Sequence, residues 1–445
     1  MRRWFQDGLF RAVMRNAGYL GSGKLVGAAL GLAALACAGR GMTPAWFGTL
    51  MIIHTYATGV GALAKFQTWQ FIIRYGAPAL QRGDDRFARD TIRFATGLDL
   101  SSGLVGMAGA MLLLPFLAPW LELPHDALLP ALLYCTLVPT MTAATPTGTL
   151  RMLDRFDLIA GQQVVTPALR AAGAALAYVA HLGFTGFVVT WFVADLAGDL
   201  VLWGFAAREL RRREMLSAFR PGLFGVARRL PDAWGFVWTT NVAHSIFAAW
   251  GPLSNLVVAS VLGPVAAGLF KIAATLVDST SKPADLLSRG FYPEIMRLDP
   301  ASKAPWQLGL RLSLLSAAVS AGLVLIVMLG GKPVIGLLFG HRYLAAFGLL
   351  QIMAWSVAVS TAAFPLESLL YMVGRQKAAL MAQVAATAAY LLLLYRLTRQ
   401  VGLDGAGYAV LIGTILSALF MLVPTIQSYR ARRAETARID LAAAA

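Results

Sequence analysis

Ala317–Leu329 reads AAVSAGLVLIVML, and it lies within an apolar stretch that extends from residue 306 to residue 330. The stretch lacks the alternation of apolar and polar residues that marks a strand of a membrane barrel. Because backbone amides in lipid can be satisfied only within a helix or a closed barrel, this sequence predicts a membrane-spanning α-helix.

The rest of the chain repeats this pattern. Hydrophobic residues make up 58% and charged residues 13% of the 445 residues, whereas soluble domains contain about 45–50% and about 25%. The sequence therefore predicts an all-α integral membrane protein with about twelve transmembrane helices. The predicted spans are 17–38, 45–73, 94–118, 127–149, 158–180, 184–207, 233–261, 264–286, 306–330, 343–373, 377–397 and 402–428.

Cationic residues alternate between the gaps. Most of the 38 Lys and Arg residues lie in every second gap and near the two ends of the chain. Since cationic loops resist translocation, both termini are predicted to be cytoplasmic in a multi-pass membrane protein. The net charge of +16 therefore lies mainly in short loops that face anionic lipid headgroups. No nucleic-acid partner is expected.

Motifs for catalysis are absent from the sequence. It has no H-E-x-x-H sequence, no P-loop and no long outer loop of the kind that membrane glycan polymerases carry. Cys37 and Cys135 both lie in apolar spans, where free thiols are expected. We therefore expect no enzyme activity, no catalytic residue, no metal site and no cofactor.

The two halves of the chain resemble each other at an offset of about 220 residues. Pro44–Gly48 parallels Pro264–Gly268, and Thr149–Arg155 parallels Leu369–Arg375. Six helices per half place both halves in the same orientation, so the pattern predicts two parallel-repeat lobes around a central cavity. The predicted division is an N-terminal lobe at 1–207, a basic cytoplasmic linker at 208–232, a C-terminal lobe at 233–430 and a cytoplasmic tail at 431–445.

Four motifs carry a family resemblance. Val261–Ala273, VLGPVAAGLFKIA, resembles the LGPxxAGLYKxA signature of bacterial polysaccharide and O-antigen flippases. Thr240-Asn241 resembles the start of the seventh helix of that family, Phe291–Glu294 its YPE motif, and Val373–Gln376 its GRQ motif. The family belongs to the multidrug/oligosaccharidyl-lipid/polysaccharide exporter superfamily. Gly41–Pro44 departs from the LGP-type turn usual in the first half.

The resemblance implies a flippase that moves a polyprenyl-pyrophosphate-linked oligosaccharide from the inner to the outer leaflet. Such transport serves the synthesis of lipopolysaccharide or exopolysaccharide, with other polysaccharide assembly proteins as partners. Flippases of lipid-linked precursors carry cations on the first, second and eighth helices. The matching residues are Lys24, Lys65 and Lys271, which we assign to the pyrophosphate; the alternative for Lys24 and Lys65 is snorkelling to the interface.

Arg170 and Asp195 lie at equal depth on the fifth and sixth predicted helices, which predicts an ion pair. Asp199 follows one helical turn after Asp195. Two interpretations remain open: a structural pair that joins the helices, or coupling of transport to H⁺ or Na⁺ through the second carboxylate. Further candidates are ion-site residues Asp278 and Glu367, the latter after Pro365, a predicted helix break, and cavity-lining residues Asn241, His244, Trp250 and Trp355.

Three other functions compete with this interpretation. A multidrug or small-molecule exporter of the same superfamily is disfavoured by the three lysines. A peptidoglycan precursor flippase is expected to have fourteen helices. A glycan polymerase or ligase is disfavoured by the short outer loops.

Overall fold

The computed structural model describes residues 8–142, 144–230, 232–248, 250–295 and 302–444, with the side chains of 8–20, 239, 242–247, 280–294 and 433–444 left out of the description. Every regular element among these residues is helical, and they include no β-strand. The predicted all-α membrane fold is confirmed.

The chain divides between Leu256 and Val257 into two compact units. The first unit contains most of the short and broken helices. Its helices are α1 (Gly8–Gly41), α2 (Pro44–Ala64), α3 (Thr68–Phe71), a π-helical turn (Ile72–Gly76), α4 (Ala77–Gln81), α5 (Asp85–Leu117), α6 (His125–Cys135), α7 (Val138–Met141), α8 (Thr145–Met152), α9 (Phe156–Val179), α10 (Gly183–Arg212), a 3₁₀ turn (Leu216–Phe219), α11 (Phe224–Ala227) and α12 (Ala233–Ala248).

The second unit is built from longer helices. Helix α13 (Trp250–Ile295) begins before the division, and Gly263 interrupts it with φ 78° and ψ −177°. Only glycine adopts this backbone conformation readily, so the two predicted spans 233–261 and 264–286 separate where the sequence places a Gly-Pro pair. The remaining elements are α14 (Ala304–Phe339), a 3₁₀ turn (His341–Tyr343), α15 (Ala346–Met372), α16 (Gln376–Val401) and α17 (Leu403–Ala444).

Nine helices of the described residues are long and apolar enough to cross a membrane. A tenth span is formed if His125–Cys135 and Val138–Met152, which bend by 44° at their junction, count as one. The predicted span 158–180 is present as the helix α9, which is not one of the nine candidate spans. Arg170 and two glutamines lower its hydropathy. The predicted seventh span, 233–261, covers α12 and the start of α13, and the predicted eighth span, 264–286, lies in α13 beyond its kink. Among the nine candidate spans, α13 is counted once.

The internal repeat is visible in matching helix ends. Helices α8 and α15 end at Met152 and Met372, about 220 residues apart. The turns that follow have the same hydrogen bond, from Arg155 N to Leu150 O at 2.8 Å and from Arg375 N to Leu370 O at 2.8 Å. The residues before these arginines, Asp154 and Gly374, have φ 56° and φ 77°. Both helices therefore end in a Schellman motif, at positions 220 residues apart.

The predicted basic linker 208–232 packs against the first unit. Gly222 N donates to Arg93 O at 3.1 Å, and Arg229 forms an ion pair with Asp90 at 3.2 Å. A Cβ on Gly97 would lie 2.9 Å from Gly222 O, so the linker backbone is in close contact with α5. The division into lobes at 208–232 stays a prediction, and α17 continues as helix through the predicted tail.

Candidate functional site

Lys24 lies on α1, next to a tight helix contact. A Cβ on Gly23 would lie 2.7 Å from Ala160 O, and one on Gly27 would lie 2.8 Å from Gln163 O. Glycines spaced four residues apart let the backbones of α1 and α9 approach closely, as small residues do between membrane helices. Lys24 itself is exposed, and this contact fixes the position of its backbone beside α9.

Lys65 lies at an interruption of a membrane helix. Helix α2 ends at Ala64, and Lys65 is extended, with φ −74° and ψ 109°. Helical structure resumes only at Thr68, although the whole stretch Pro44–Gln81 is apolar enough to be one span. The span predicted over 45–73 is therefore present, but its helix is interrupted between Ala64 and Thr68. The interruption frees backbone polar groups within the predicted membrane depth.

The first residue of α3, Thr68, is hydrogen-bonded to Asp99. This buried carboxylate on α5 accepts a hydrogen bond from Thr68 Oγ1 at 2.8 Å. It also accepts from Ala144 N at 2.7 Å, from Thr145 N at 2.7 Å and from Thr145 Oγ1 at 2.8 Å. Asp99 thereby joins α3, α5 and the start of α8, and it satisfies backbone donors that the start of a helix leaves unpaired.

A second polar cluster surrounds Asp195 on α10. Arg170 on α9 forms an ion pair with Asp195 Oδ1 and lies 5.5 Å from the centre of the Trp191 ring. The hydroxyl of Tyr134 donates to Asp195 Oδ2. His54 Nε2 on α2 lies 3.7 Å from the same oxygen. One carboxylate thus connects α2, α6, α9 and α10.

Asp199 lies one turn further along α10. Thr140 is its hydrogen-bonding neighbour, and the charges of Asp195 and Lys65 act on it. Its Oδ2 atom is buried and has no hydrogen-bond partner among the described residues. A buried carboxylate oxygen without a donor is costly unless it is protonated or binds a cation. The structure therefore places Lys65 and Asp199, two predicted site residues, close enough for their charges to interact.

An ion network joins α9 to α10 near their predicted cytoplasmic ends. Arg155 Nη2 lies 2.9 Å from Asp157 Oδ2, and Arg155 also pairs with Glu209. Glu209 in turn lies 3.0 Å from Arg212. Hydrogen bonds from Arg155 hold the pKa of the Asp157 carboxyl below its ordinary value, because they favour the charged form.

Lys271 is half-buried on α13, beyond the break at Gly263. Asp278, two turns later on the same helix, is exposed. Lys24 and Lys65 lie in the first unit and Lys271 lies in the second. Each unit therefore contains at least one predicted phosphate ligand. Lys65 and Lys271 lie at or beyond a helix break, and Lys24 lies in a closely packed helix.

The remaining candidates are more dispersed. Glu367 is exposed and accepts a hydrogen bond from Tyr371 at 2.7 Å. The predicted break at Pro365 is wrong, because α15 continues through it to Met372. Elsewhere, Asn241 is buried, Trp250 is half-buried and Trp355 is exposed, while the side chain of His244 lies outside the described residues.

A cavity of about 890 Å³ lies between α14, α15 and α17 of the second unit. Trp355 and Leu419 contribute to its walls, and Trp306 packs against Tyr429 at one end with ring centres 5.2 Å apart and the rings tilted by 59°. Its walls are almost wholly apolar. Of the predicted site residues, only Trp355 lines this cavity.

Three residues of the polar clusters were missed by the sequence analysis. Asp99 is a carboxylate within a predicted span, which is by itself a signal of function or of a buried hydrogen-bond network. His54 carries the same signal, since ionisable residues are rare in membrane helices. Tyr134 carries none, and only the fold brings the two residues to Asp195.

Comparison with known proteins gives one close relative. No protein-family model matches the chain. The inner membrane protein YghQ of Escherichia coli (strain K12) is 49% identical over 350 residues, which cover 79% of this chain and 99% of YghQ.

Solved structures extend the likeness to the whole fold. The inward-facing conformation of a multidrug resistance MATE family transporter of the MOP superfamily matches 92% of this chain and 95% of its own, with TM-score 0.66 and 14% identity. The lipid II flippase MurJ in its inward closed conformation matches 93% and 89%, with TM-score 0.68 and 12% identity. At these identities the likeness concerns the fold. The chain therefore belongs to the family of the inner membrane protein YghQ, and it has the helical membrane fold of the MOP superfamily.

Proposed function

We propose that this protein is a flippase of the bacterial inner membrane, with both termini in the cytoplasm. It moves a polyprenyl-pyrophosphate-linked oligosaccharide from the inner to the outer leaflet for surface polysaccharide synthesis. The two lobes move so that the cargo site opens alternately to the two sides of the membrane. The cargo is not changed covalently. The protein is thus a transporter without enzyme activity, and other polysaccharide assembly proteins supply and receive its cargo.

The observation that carries the proposal is the position of Lys65 at the break between α2 and α3. An ammonium group within an apolar span is costly, and it is favourable only where water, a carboxylate or an anionic ligand can reach it. Interrupted helices are typical of substrate sites in transporters, because freed backbone groups line a cavity. A pyrophosphate is an anion that such a site suits, and lysine presents the compact charge that binds a passing phosphate.

Lys24 in the first unit and Lys271 in the second are proposed as further phosphate ligands. Lys24 is held beside α9 by the glycine contact, and Lys271 follows the Gly263 break. In this proposal the three lysines contact the pyrophosphate at successive stages, so no single strong site traps the cargo.

Asp199 is proposed as the residue that couples transport to H⁺ or Na⁺. Asp195 already has three polar neighbours, Arg170, Tyr134 and His54, and is better suited to a structural role. Asp199 has a buried oxygen without a described donor and lies near Lys65. A proton or cation on Asp199 weakens its attraction for Lys65 and so changes how strongly Lys65 attracts phosphate.

The alternative is a multidrug or small-molecule exporter. It is favoured by the large apolar cavity of the second unit, which has the size of many small-molecule sites. Cationic lysines in the spans disfavour it for the cationic and apolar compounds that such a cavity suits.

Deletion of the gene in its native host tests the proposal. We expect surface polysaccharide to be lost and the lipid-linked oligosaccharide to accumulate in the inner leaflet. Complementation with Lys65→Gln should not restore export, whereas Lys332→Gln, which changes an exposed lysine of α14, should. Unchanged polysaccharide together with increased sensitivity to apolar drugs would favour the exporter.

A further inference from the structure

The cavity between α14, α15 and α17 has dimensions that match one leaflet of a membrane. On α15 it extends from Trp355 to Leu369, and on α17 from Ala418 to Tyr429. At 1.5 Å per residue these distances are about 21 Å and about 16 Å. One leaflet accounts for about 15 Å of hydrocarbon. The cavity therefore extends from one end of α14, near Lys303, to about the middle of the membrane.

The cavity owes its depth to small residues. Ala358 and Ala362 lie one turn apart on α15, and Ala418 faces the same space from α17. Larger side chains such as Leu310 and Leu419 form the edges. A helix surface that meets lipid is apolar in any membrane protein, but it is rarely concave over three to four turns.

The apolar character is particular to the second unit. With the repeat offset of about 220 residues, Leu419 corresponds to Asp199, and Ala362 corresponds to Thr142. In the first unit Thr142 Oγ1 hydrogen-bonds to Asp99 O at 3.2 Å. The same positions of one fold thus contain a polar network in the first unit and an apolar cavity in the second.

Polar groups occur mainly at one end of the cavity. Lys303 and Gln307 lie there, beside the Trp306–Tyr429 ring pair. The cation distribution predicts that this end is cytoplasmic. An occupant should therefore have a long apolar body and an anionic group at the cytoplasmic surface, since aromatic rings and a lysine are typical of the headgroup level.

We propose that this cavity binds the hydrocarbon chain of a polyprenyl phosphate lipid in the cytoplasmic leaflet, with the phosphate near Lys303. The inference rests on the proposed function, because it assigns the lipid part of the cargo to the second unit. Holding the chain at α14, α15 and α17 keeps the lipid next to the protein while the sugar and pyrophosphate move.

Photo-crosslinking tests this assignment in the full-length protein. The purified protein is placed in nanodiscs of phosphatidylcholine and phosphatidylglycerol that contain undecaprenyl phosphate with a diazirine near its phosphate end. We expect crosslinks on α14, α15 and α17, and competition by unlabelled undecaprenyl phosphate. Equal competition by extra phosphatidylglycerol, or stronger competition by the apolar cation tetraphenylphosphonium, overturns the proposal.

A filled cavity provides the matched comparison. Ala358→Phe with Ala362→Phe should lower crosslinking about tenfold or more, the effect of about 1.4 kcal/mol in binding free energy. Ser360→Phe, an exposed position of the same helix outside the cavity, should leave crosslinking unchanged and serves as the control for folding. Equal labelling of the filled variant and the control overturns the proposal.

Transport by the same variants separates this inference from the proposed function. If the wild type translocates a lipid-linked oligosaccharide and the filled variant does so at the same rate, the proposed function stands and the role of the cavity is overturned. If the wild type is crosslinked by the undecaprenyl phosphate probe but does not translocate the lipid-linked oligosaccharide, the lipid site stands and the proposed function fails.

Discussion

Arg170 and Asp195 form an ion pair between α9 and α10, and Tyr134 donates to the second oxygen of the same carboxylate. Both charges lie in apolar helices, so each depends on the other for its solvation. Asp195 thereby differs from Asp199, its neighbour one turn away, which has a buried oxygen without a described partner. This difference separates a structural carboxylate from a candidate for ion binding.

Removal of one partner of this pair should destabilise the first unit. Arg170→Met leaves Asp195 buried without its cation, a change that costs about 3–5 kcal/mol in buried pairs. Thermal unfolding in detergent should show a clear fall in Tm. The double variant Arg170→Met with Asp195→Leu should regain most of the lost stability; a double variant as unstable as the single one would contradict the structural role of the pair.

Asp199→Asn should preserve stability and change coupling. Asparagine keeps the size of the side chain and removes the group that binds a proton or cation. Transport in vesicles should lose its dependence on the proton or sodium gradient, while Tm stays close to that of the wild type. Retained gradient dependence in this variant would exclude Asp199 as the coupling residue.

The contact between α1 and α9 should be sensitive to a single methyl group. Gly27→Ala places a Cβ 2.8 Å from Gln163 O, so the helices must separate, and overpacking of this kind costs about 1–3 kcal/mol. At Gly31 a Cβ meets no atom within 4 Å, and alanine favours helix there by up to about 1 kcal/mol. Tm should fall for Gly27→Ala and hold or rise for Gly31→Ala; equal effects would contradict the close approach.

The break at Gly263 should not tolerate a side chain. With φ 78° and ψ −177°, Gly263→Ala forces a conformation that costs an L-residue about 1–3 kcal/mol. Gly322→Ala on α14, where a Cβ meets no atom within 4 Å, is the matched control. The first substitution should reduce both Tm and transport, whereas the second should leave transport unchanged and Tm unchanged or higher.

The Arg155–Asp157 contact predicts a dependence of stability on pH. Because the pKa of Asp157 is lowered in the folded protein, the contact contributes fully above the unfolded pKa of about 3.9 and is lost as pH falls below it. Asp157→Asn should therefore lower Tm slightly at pH 7 and leave it unchanged well below the pKa. The effect should be small, since the carboxylate is 45% exposed; an effect that grows towards acid pH would reverse the assigned sign.

The sequence predicts the membrane fold and its repeat well, because both depend on local features. Apolar runs such as Ala317–Leu329 determine where helices lie, and the Gly263-Pro264 pair marks a helix break. The helix ends at Met152 and Met372 lie 220 residues apart, at the offset of the repeat. Each of these signals is contained in a few consecutive residues.

The interior of the site depends on contacts that a single sequence does not show. No glycine or proline marks the break at Lys65, and the hydrogen bond of Thr68 just beyond it is to Asp99, 31 residues away. Tyr134 and His54 reach Asp195 only because four helices meet there. The paired charges Arg170 and Asp195 were predictable, since two opposite charges at equal depth in neighbouring apolar helices require each other.

Translocation by the purified protein tests the central claim most directly. Proteoliposomes are prepared with a fluorescent polyprenyl-pyrophosphate-linked oligosaccharide, and a membrane-impermeant quencher measures its exchange between leaflets. The account predicts rapid exchange with the wild type and with Lys332→Gln, and exchange at the rate of protein-free liposomes with Lys65→Gln. Equal exchange by wild type and Lys65→Gln, or no exchange by any of the proteins, would contradict it.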